Sequence, residues 1–396
     1  MSDRPDGAAD SPGFIEDLLG TRLDWRRAVL VPVLAILLAL MVSAVIIVVS
    51  DIDLWQNPSF DQLGDTLDQA RDALSALFIG SFGSLRAFSS TLEFGAPLIF
   101  AGLAVAIGFH AGLFNIGAEG QMLMGGMAAV ALGITFDLPI YLNLPLALVG
   151  GAIGGGIWGG IAGWLRAKTG AHEVVTTIML NSIAGLAVVW MLSTSFFQPA
   201  GRQDPVSRDI ATSARLPRLL GFLDRSDLRV HFGIILALIA AYGIYWLLFK
   251  STIGFEFRAV GANPDAAHYA GMRVTTIYVS VMFLSGALAG LAGMNQINGL
   301  LFRASPGFSA GIGFDAISLA LLGRSHPAGV VAAGLLFGAL RAGGLDMQVV
   351  TDVPIDLIAV IQALVVVFIA APALIRAIFR VRTGEGTGQV TKGWAS

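Results

Sequence analysis

Val29 to Val49 is an apolar run without a single charge, interrupted by one hydroxyl at Ser43. A bilayer's hydrocarbon core is about 30 Å thick and takes about 20 helical residues to cross, so the run is read as a spanning helix. It is too long, and begins too late, for the apolar core of a secretory signal, and it is expected to stay in the mature protein. Further apolar stretches lie at 86–107, 112–135, 144–165, 174–195, 231–249, 275–297, 312–323, 327–344 and 355–378. Lipid offers no partner to an open strand edge. The fold class is therefore all-α, a polytopic membrane protein of about ten transmembrane helices. A content of 55% hydrophobic and 13% charged residues fits no soluble globular class. Three segments follow: a cytoplasmic N-terminal stretch (1–27), a transmembrane domain (28–379) and a cytoplasmic tail (380–396).

Charges flanking the spans set the orientation. Arg22, Arg26 and Arg27 abut the first span, whereas the connection after it carries Asp51, Asp53, Asp61, Asp65, Asp68 and Asp72 against Arg71. Basic residues stay on the cytoplasmic side, which places the N-terminus there. Alternation then puts Arg166, Lys168, the segment 258–272, Arg324 and the tail arginines 376, 380 and 382 on that side too. Residues 197–230 run against the rule, with Arg202, Arg208, Arg215, Arg218, Arg225 and Arg229 outside, offset by Asp204, Asp209, Asp224 and Asp227.

Several chemistries are excluded. The chain has no cysteine, and its five histidines (110, 172, 231, 268, 326) form no i, i+4 pair, so disulfides, thiol nucleophiles and metal sites are not expected. A net charge of −3 without a basic run gives nucleic acid no footing. No phosphate-cradling G-x-x-x-x-G-K-[ST] loop occurs, so the chain binds no cofactor of its own. Membrane lipid is its expected surroundings.

Polar islands inside apolar sequence carry the functional signal. Asn115, Glu119 and Gln121 interrupt 113–126 amid glycines, and Asp315 and Ser318 sit similarly in 311–323. A charged residue at mid-membrane costs about 2.5–3.5 kcal/mol on insertion scales and faces a cavity or a partner. Two glycine-interrupted segments in corresponding places point to a substrate route between inverted repeats, with spans two to five and seven to ten as the halves; solvated turns remain the other reading. Asn115, Glu119, Asn181 and Asp315 are the pathway candidates. Amides at 121, 181, 295, 296 and 298, with Trp190 and Phe302, suit a neutral polar solute, although any one of them equally serves as glue between helices. Gly151, Gly155, Gly159 and Gly163 line one face of span four and read as a packing seam, as do Gly286, Gly290, Gly334 and Gly338.

Arg258 to Met272 is a polar insert with helix punctuation. Asn263 is an N-cap type, Pro264 suits the first helical position, Asp265 faces the dipole and Gly271 is a stop. Between them Ala266, Ala267, Tyr269 and Ala270 form a small-residue surface that lacks the Lys, Leu and Trp of a lipid-lying helix. It reads as a docking surface, on which Ala267→Arg should abolish docking alone.

The strings FNIGAEGQ (Phe114 to Gln121), HEVVTTIMLN (His172 to Asn181), RAVGANPDAAHYAGM (Arg258 to Met272) and GFDAISLALLGRSHPAG (Gly313 to Gly329) together resemble the permeases of branched-chain amino acid and simple-sugar ABC importers, and within them the nucleoside branch. The resemblance spans about residues 90 to 345 and implies a permease of the bacterial inner membrane. It would pair with a second permease, as a heterodimer, and with cytoplasmic ABC ATPases that bind the ATP and an external substrate-binding protein. On that pattern Arg258, Gly261, Asn263, Asp265, Ala266, Ala267, Tyr269 and Gly271 belong to the coupling helix that seats in the ATPase. His172 replaces the Asn usual before the Glu of the second motif. The contrasting class is an ion-coupled secondary transporter in which Glu119 or Asp315 titrates. Neither class makes the chain itself an enzyme.

Overall fold

The structure, a computed structural model, describes residues 25–56, 59–351, 353–354, 356–371 and 378–379. The N-terminal stretch with Arg22, and the tail with Arg376, Arg380 and Arg382, lie outside the described residues. Among the described residues the α-helices are α1 (Trp25–Ser50), a short α2 (Ile52–Gln56), α3 (Phe60–Phe82), α4 (Leu85–His110), α5 (Ala118–Thr135), α6 (Ile140–Thr169), α7 (Glu173–Leu192), α8 (Gly233–Lys250), α9 (Thr252–Ala262), α10 (Pro264–Tyr269), α11 (Val274–Asn295), α12 (Ile312–Leu322), α13 (Pro327–Thr351) and α14 (Asp356–Ala370). A π-helical turn, Gln296–Leu301, extends α11. Among the described residues 7 helices are long and apolar enough to cross a membrane. Every span expected from the sequence holds a helix, with α5, α12 and α14 the shorter or more polar ones.

One element was not expected. The acidic connection after α1 folds into α3, because its small and apolar residues recur at helical spacing: Thr66, Ala70, Ala73, Ala76, Leu77, Gly80 and Ser81 are buried. The aspartates 61, 65, 68 and 72 stay on the exposed face, a division that makes an amphipathic helix out of what reads as a loop. Ser59 caps it by accepting from the Gln62 N–H at 3.0 Å. The buried face lies on α13, where the Ser81 hydroxyl donates to the Ala339 carbonyl at 2.6 Å.

The two halves interlock. The third helix of each half packs on the first helix of the other, α6 along α11 and α13 along α4; the second helices do the same, α5 on α11 and α12 on α4. α4 begins beside segment 193–232, where the Ser89 hydroxyl accepts from the Val230 N–H at 2.9 Å. It ends at His110, whose ring lies 3.0 Å from the Ser325 carbonyl in the α12–α13 turn. α11 runs the other way, from the α9–α10 pair to segment 193–232, where Asn298 and Phe302 carbonyls accept from the N–H groups of Leu216 and Ile210. The repeats are therefore inverted, and the molecule has two ends: a loop end carrying 193–232 and a hairpin end carrying α9 and α10.

Glycine makes the central contact. A Cβ on Gly155 would lie 2.6 Å from the Gly290 Cα, and one on Gly163 would lie 2.9 Å from the Tyr278 carbonyl oxygen. The every-fourth-residue face of α6 is thus a packing seam against α11, which lets the two backbones touch and maximises dispersion contact where lipid supplies no hydrophobic drive. At the loop end, Arg202 and Arg225 each pair with an aspartate two residues on, Asp204 and Asp227, both at 2.6 Å. The guanidinium hydrogen bonds hold both carboxyls below the usual carboxylate range. That pairing offsets part of the positive charge which runs against the orientation rule.

Candidate functional site

α4 stops at His110 and α5 starts only at Ala118, a break that begins with Gly112 in the left-handed region (φ 70°). The corresponding break in the second half runs from Phe302 to Gly311 and contains Phe302, Ala310, Gly307 and Gly311 at positive φ. Both α5 and α12 therefore begin inside the protein, and their N-termini meet. A Cβ on Gly313 would collide with the backbone N and Cα of Glu119, so only glycine allows the approach. The Glu119 carboxylate accepts from the Gly313 N–H at 2.9 Å and from the Ser309 hydroxyl. It thereby satisfies a free donor of the other helix with a charge that suits the positive ends of both dipoles.

Asn115 and Asn181 treat the α5 start in the same way. The Asn115 amide pairs reciprocally with that of Gln121 (2.9 and 3.1 Å), donates to the Ser285 hydroxyl of α11 at 2.7 Å and accepts from the Gly117 N–H at 2.8 Å. Asn181 on α7 accepts from the Gly120 N–H at 2.8 Å and donates to the Ile116 carbonyl at 2.9 Å. Irregular backbone at membrane depth survives only where side chains take over its hydrogen bonds, and these residues do so. Glu119, Asn115 and Asn181 form one constellation. Asp315 stands apart from it, 2.6 Å from the Arg341 guanidinium, which also donates to the Ala310 carbonyl. Ser285, Ser309 and Gly313, whose partners lie across the repeat, and Arg341, whose partner Asp315 lies on the neighbouring helix of its own half, are residues whose part in the site sequence reasoning missed.

Glu173, buried, pairs with Arg166 at 3.1 Å, and its neighbour His172 has a side chain 66% exposed at the hairpin end, away from the constellation. Trp190 is exposed on α7, and the Arg215 guanidinium covers the Phe302 ring at 4.5 Å; neither ring joins Asn115 or Asn181.

The segment 258–272 is two helices rather than one. Asn263 ends α9 and caps α10, its side chain accepting from the Ala266 N–H at 3.0 Å, with Pro264 in the first turn. α10 ends at Tyr269, before Gly271, which takes the left-handed turn at φ 86°. Asn263, Asp265 and Ala266 are exposed and Tyr269 is 92% exposed. Ala267 is not: at 4% exposure it faces the protein core, so Ala267→Arg would break the hairpin's own packing and is no clean test of docking.

Beneath the exposed face, the hairpin is keyed to the α4–α5 break and to the turn between α12 and α13. Gly261 lies on the α4–α5 connection, where a Cβ on Gly112 would be 3.2 Å from the Gly261 Cα. The Arg258 guanidinium sits 5.4 Å over the Phe249 ring, Phe249 stacks on His326 at 5.5 Å, and His110 meets Phe249 edge-on at 5.7 Å. His326 belongs to the turn that leads from α12 into α13.

The sequence model of one family, described as branched-chain amino acid transport system, permease component, matches residues 87–370. The chain belongs to that permease family. The guanosine ABC transporter permease protein NupP of Bacillus subtilis is 40% identical over 348 residues, 88% of this chain and 94% of the relative. The glucose ABC transporter permease protein TsgB13 of Haloferax volcanii is 36% identical over 85% of this chain and 86% of its own length. A second guanosine permease protein of the same Bacillus, NupQ, is 28% identical over 67% of this chain and 84% of its own length. No solved structure matches. In this permease the matched region runs from α4 to α14 and takes in the constellation and the hairpin alike.

Proposed function

We propose that this permease forms half of the translocation unit of an ATP-driven importer for a nucleoside, with simple sugars as the neighbouring substrate class, and that α9–α10 is its coupling element. The single observation that carries the reading is the keying of one exposed hairpin to the α4–α5 break, through Gly261, and to the turn between α12 and α13, through Arg258 and the Phe249–His326 stack. A displacement of the hairpin moves both, and with them the junction at Glu119.

In this reading the hairpin end is cytoplasmic, which agrees with Arg166, Lys168 and Arg324 at that end. Separate ABC ATPases bind and hydrolyse ATP there and grip Asn263, Asp265, Ala266 and Tyr269. An external binding protein delivers solute to the loop end. A second permease, identical or related, completes the unit; the pair of guanosine permease proteins in Bacillus subtilis supports a related one. The relatives' names support the solute class, and the neutral amides at Asn115 and Asn181 agree with it. ATP binding closes the ATPases, the hairpins move, and the inverted halves rock about the α6–α11 seam, opening the junction to one side and then the other. The chain contributes no covalent chemistry. An ion-coupled carrier finds less support, since Glu119 is engaged by Ser309 and Gly313 and Asp315 by Arg341.

The test uses the complete importer in proteoliposomes with labelled guanosine. Tyr269→Ala and Asp265→Lys alter only exposed side chains, and both variants are expected to insert normally and to lose ATP-dependent uptake. Uptake driven by a proton gradient without ATP would overturn the proposal.

A further inference from the structure

A cavity of about 320 Å³ opens at the loop end, between α3, the first turns of α4, the segment around Asp227 and α13. It is distinct from the Glu119 constellation, and none of its lining belongs to α5, α7 or α12. Glu93 lines it at 4% exposure. Among the described residues its carboxyl makes no hydrogen bond and no ion pair; Arg229 and Arg218 act on its charge only from beyond contact distance. A buried carboxyl without a partner is costly, and in a cavity of this size what satisfies it must come from outside the chain.

The rest of the lining says what that is. Arg86 and Arg229 stand exposed at the rim and Asp346 is half-buried on the wall, none with an ion pair among the described residues, while Asp227 is already taken by Arg225. Two guanidiniums therefore face two carboxyls. A free anion would meet Glu93 and Asp346, and a free cation would meet Arg86 and Arg229. A neutral molecule rich in hydroxyls meets neither penalty, because it donates to the carboxyls and accepts from the guanidiniums. Phe94, half-buried in the lining, adds an aromatic face for a flat ring. The volume lies at the small end of ligand pockets, about 300–1,000 Å³.

We propose that this cavity is a binding site for a neutral, hydroxyl-bearing solute of sugar or nucleoside size, a receiving site at the loop end ahead of the central junction. Glu93 anchors the solute at the floor, and Arg86, Arg229 and Asp346 close over it. That the solute is the transported one rests on the function proposed above; that the cavity binds such a molecule does not.

The chain has no cysteine, so Ser90→Cys on the cavity wall is a unique reporter in this subunit. The complete importer, without its binding protein, is placed in nanodiscs and labelled with a water-soluble maleimide in the presence of guanosine or glucose, the modified position being read by mass spectrometry. Either probe is expected to slow labelling. In the same background Glu93→Leu and, separately, the rim change Arg229→Ala are expected to raise the concentration needed for protection about tenfold. Protection by neither probe overturns the site, as does protection that both second variants leave unchanged. Uptake by the same variants, reconstituted in proteoliposomes with the binding protein, keeps the two proposals apart: an importer that takes up guanosine while the introduced thiol stays unprotected sinks this site alone, and protection without ATP-driven uptake sinks the transport reading alone.

Discussion

Asn181 shows what a polar residue does inside this protein. Its amide replaces the missing helix neighbours of Gly120 and Ile116 on one side of the α5 break. Removing it would leave a buried N–H and a buried carbonyl without partners, and each such group costs about 1–3 kcal/mol. Asn181→Ala is therefore expected to destabilise the protein by about 2–4 kcal/mol, measured as a lower melting temperature of the detergent-solubilised chain, with uptake falling as the α5 start loosens. An unchanged melting temperature would mean that the amide is solvated and that the site is open at rest. Glu119 follows the same logic across the repeat, since it caps a helix 194 residues away in sequence. The residues chosen from sequence as pathway groups are thus, in this conformation, the braces of the two breaks.

At the scale of helices, the α6–α11 seam decides how far the halves can approach. A Cβ on Gly290 would lie 3.0 Å from the Gly155 Cα and 3.1 Å from the Gly151 carbonyl carbon, and both neighbours are backbone, so neither can swing aside. Gly290→Val is expected to push the helices apart at a cost of about 1–3 kcal/mol or more, read as faster cleavage by protease in mild detergent. Wild-type resistance in that variant would show that the seam has slack. α3 makes the complementary point. Its four exposed aspartates disguise a helix whose other face is small and apolar, and hydropathy averaging hides it because half of its surface is wet.

For the molecule as a whole, reciprocal packing means that neither half buries its faces without the other: α13 and α12 need α4, and α6 and α5 need α11. The tip of segment 193–232 is exposed at Phe222, and Asp224 there takes a left-handed turn. A protease site inserted between them is expected to be cut with both halves remaining associated through affinity purification, because loop tips tolerate nicking while the packed seams persist. Separation of the fragments on cutting would refute the interlocked arrangement.

The sequence alone determined the fold class, the places of the spans, the seam glycines and the α10 cap, because apolar length, every-fourth-residue glycine and Asn-Pro punctuation act through local geometry and the bilayer. It also singled out the two broken segments, since polar residues and glycines there have no local reason to interrupt an apolar run. It did not disclose that Glu119 belongs to the α12 start, that Ala267 turns inward, that Asp315 is held by Arg341, or that Glu93 floors a cavity. Each of these depends on which helix lies opposite, and a partner that arrives from another helix leaves no mark at fixed spacing in the chain. Tertiary structure decided them because a polar group in a membrane protein takes its meaning from the one group that satisfies it, and that group is supplied by packing.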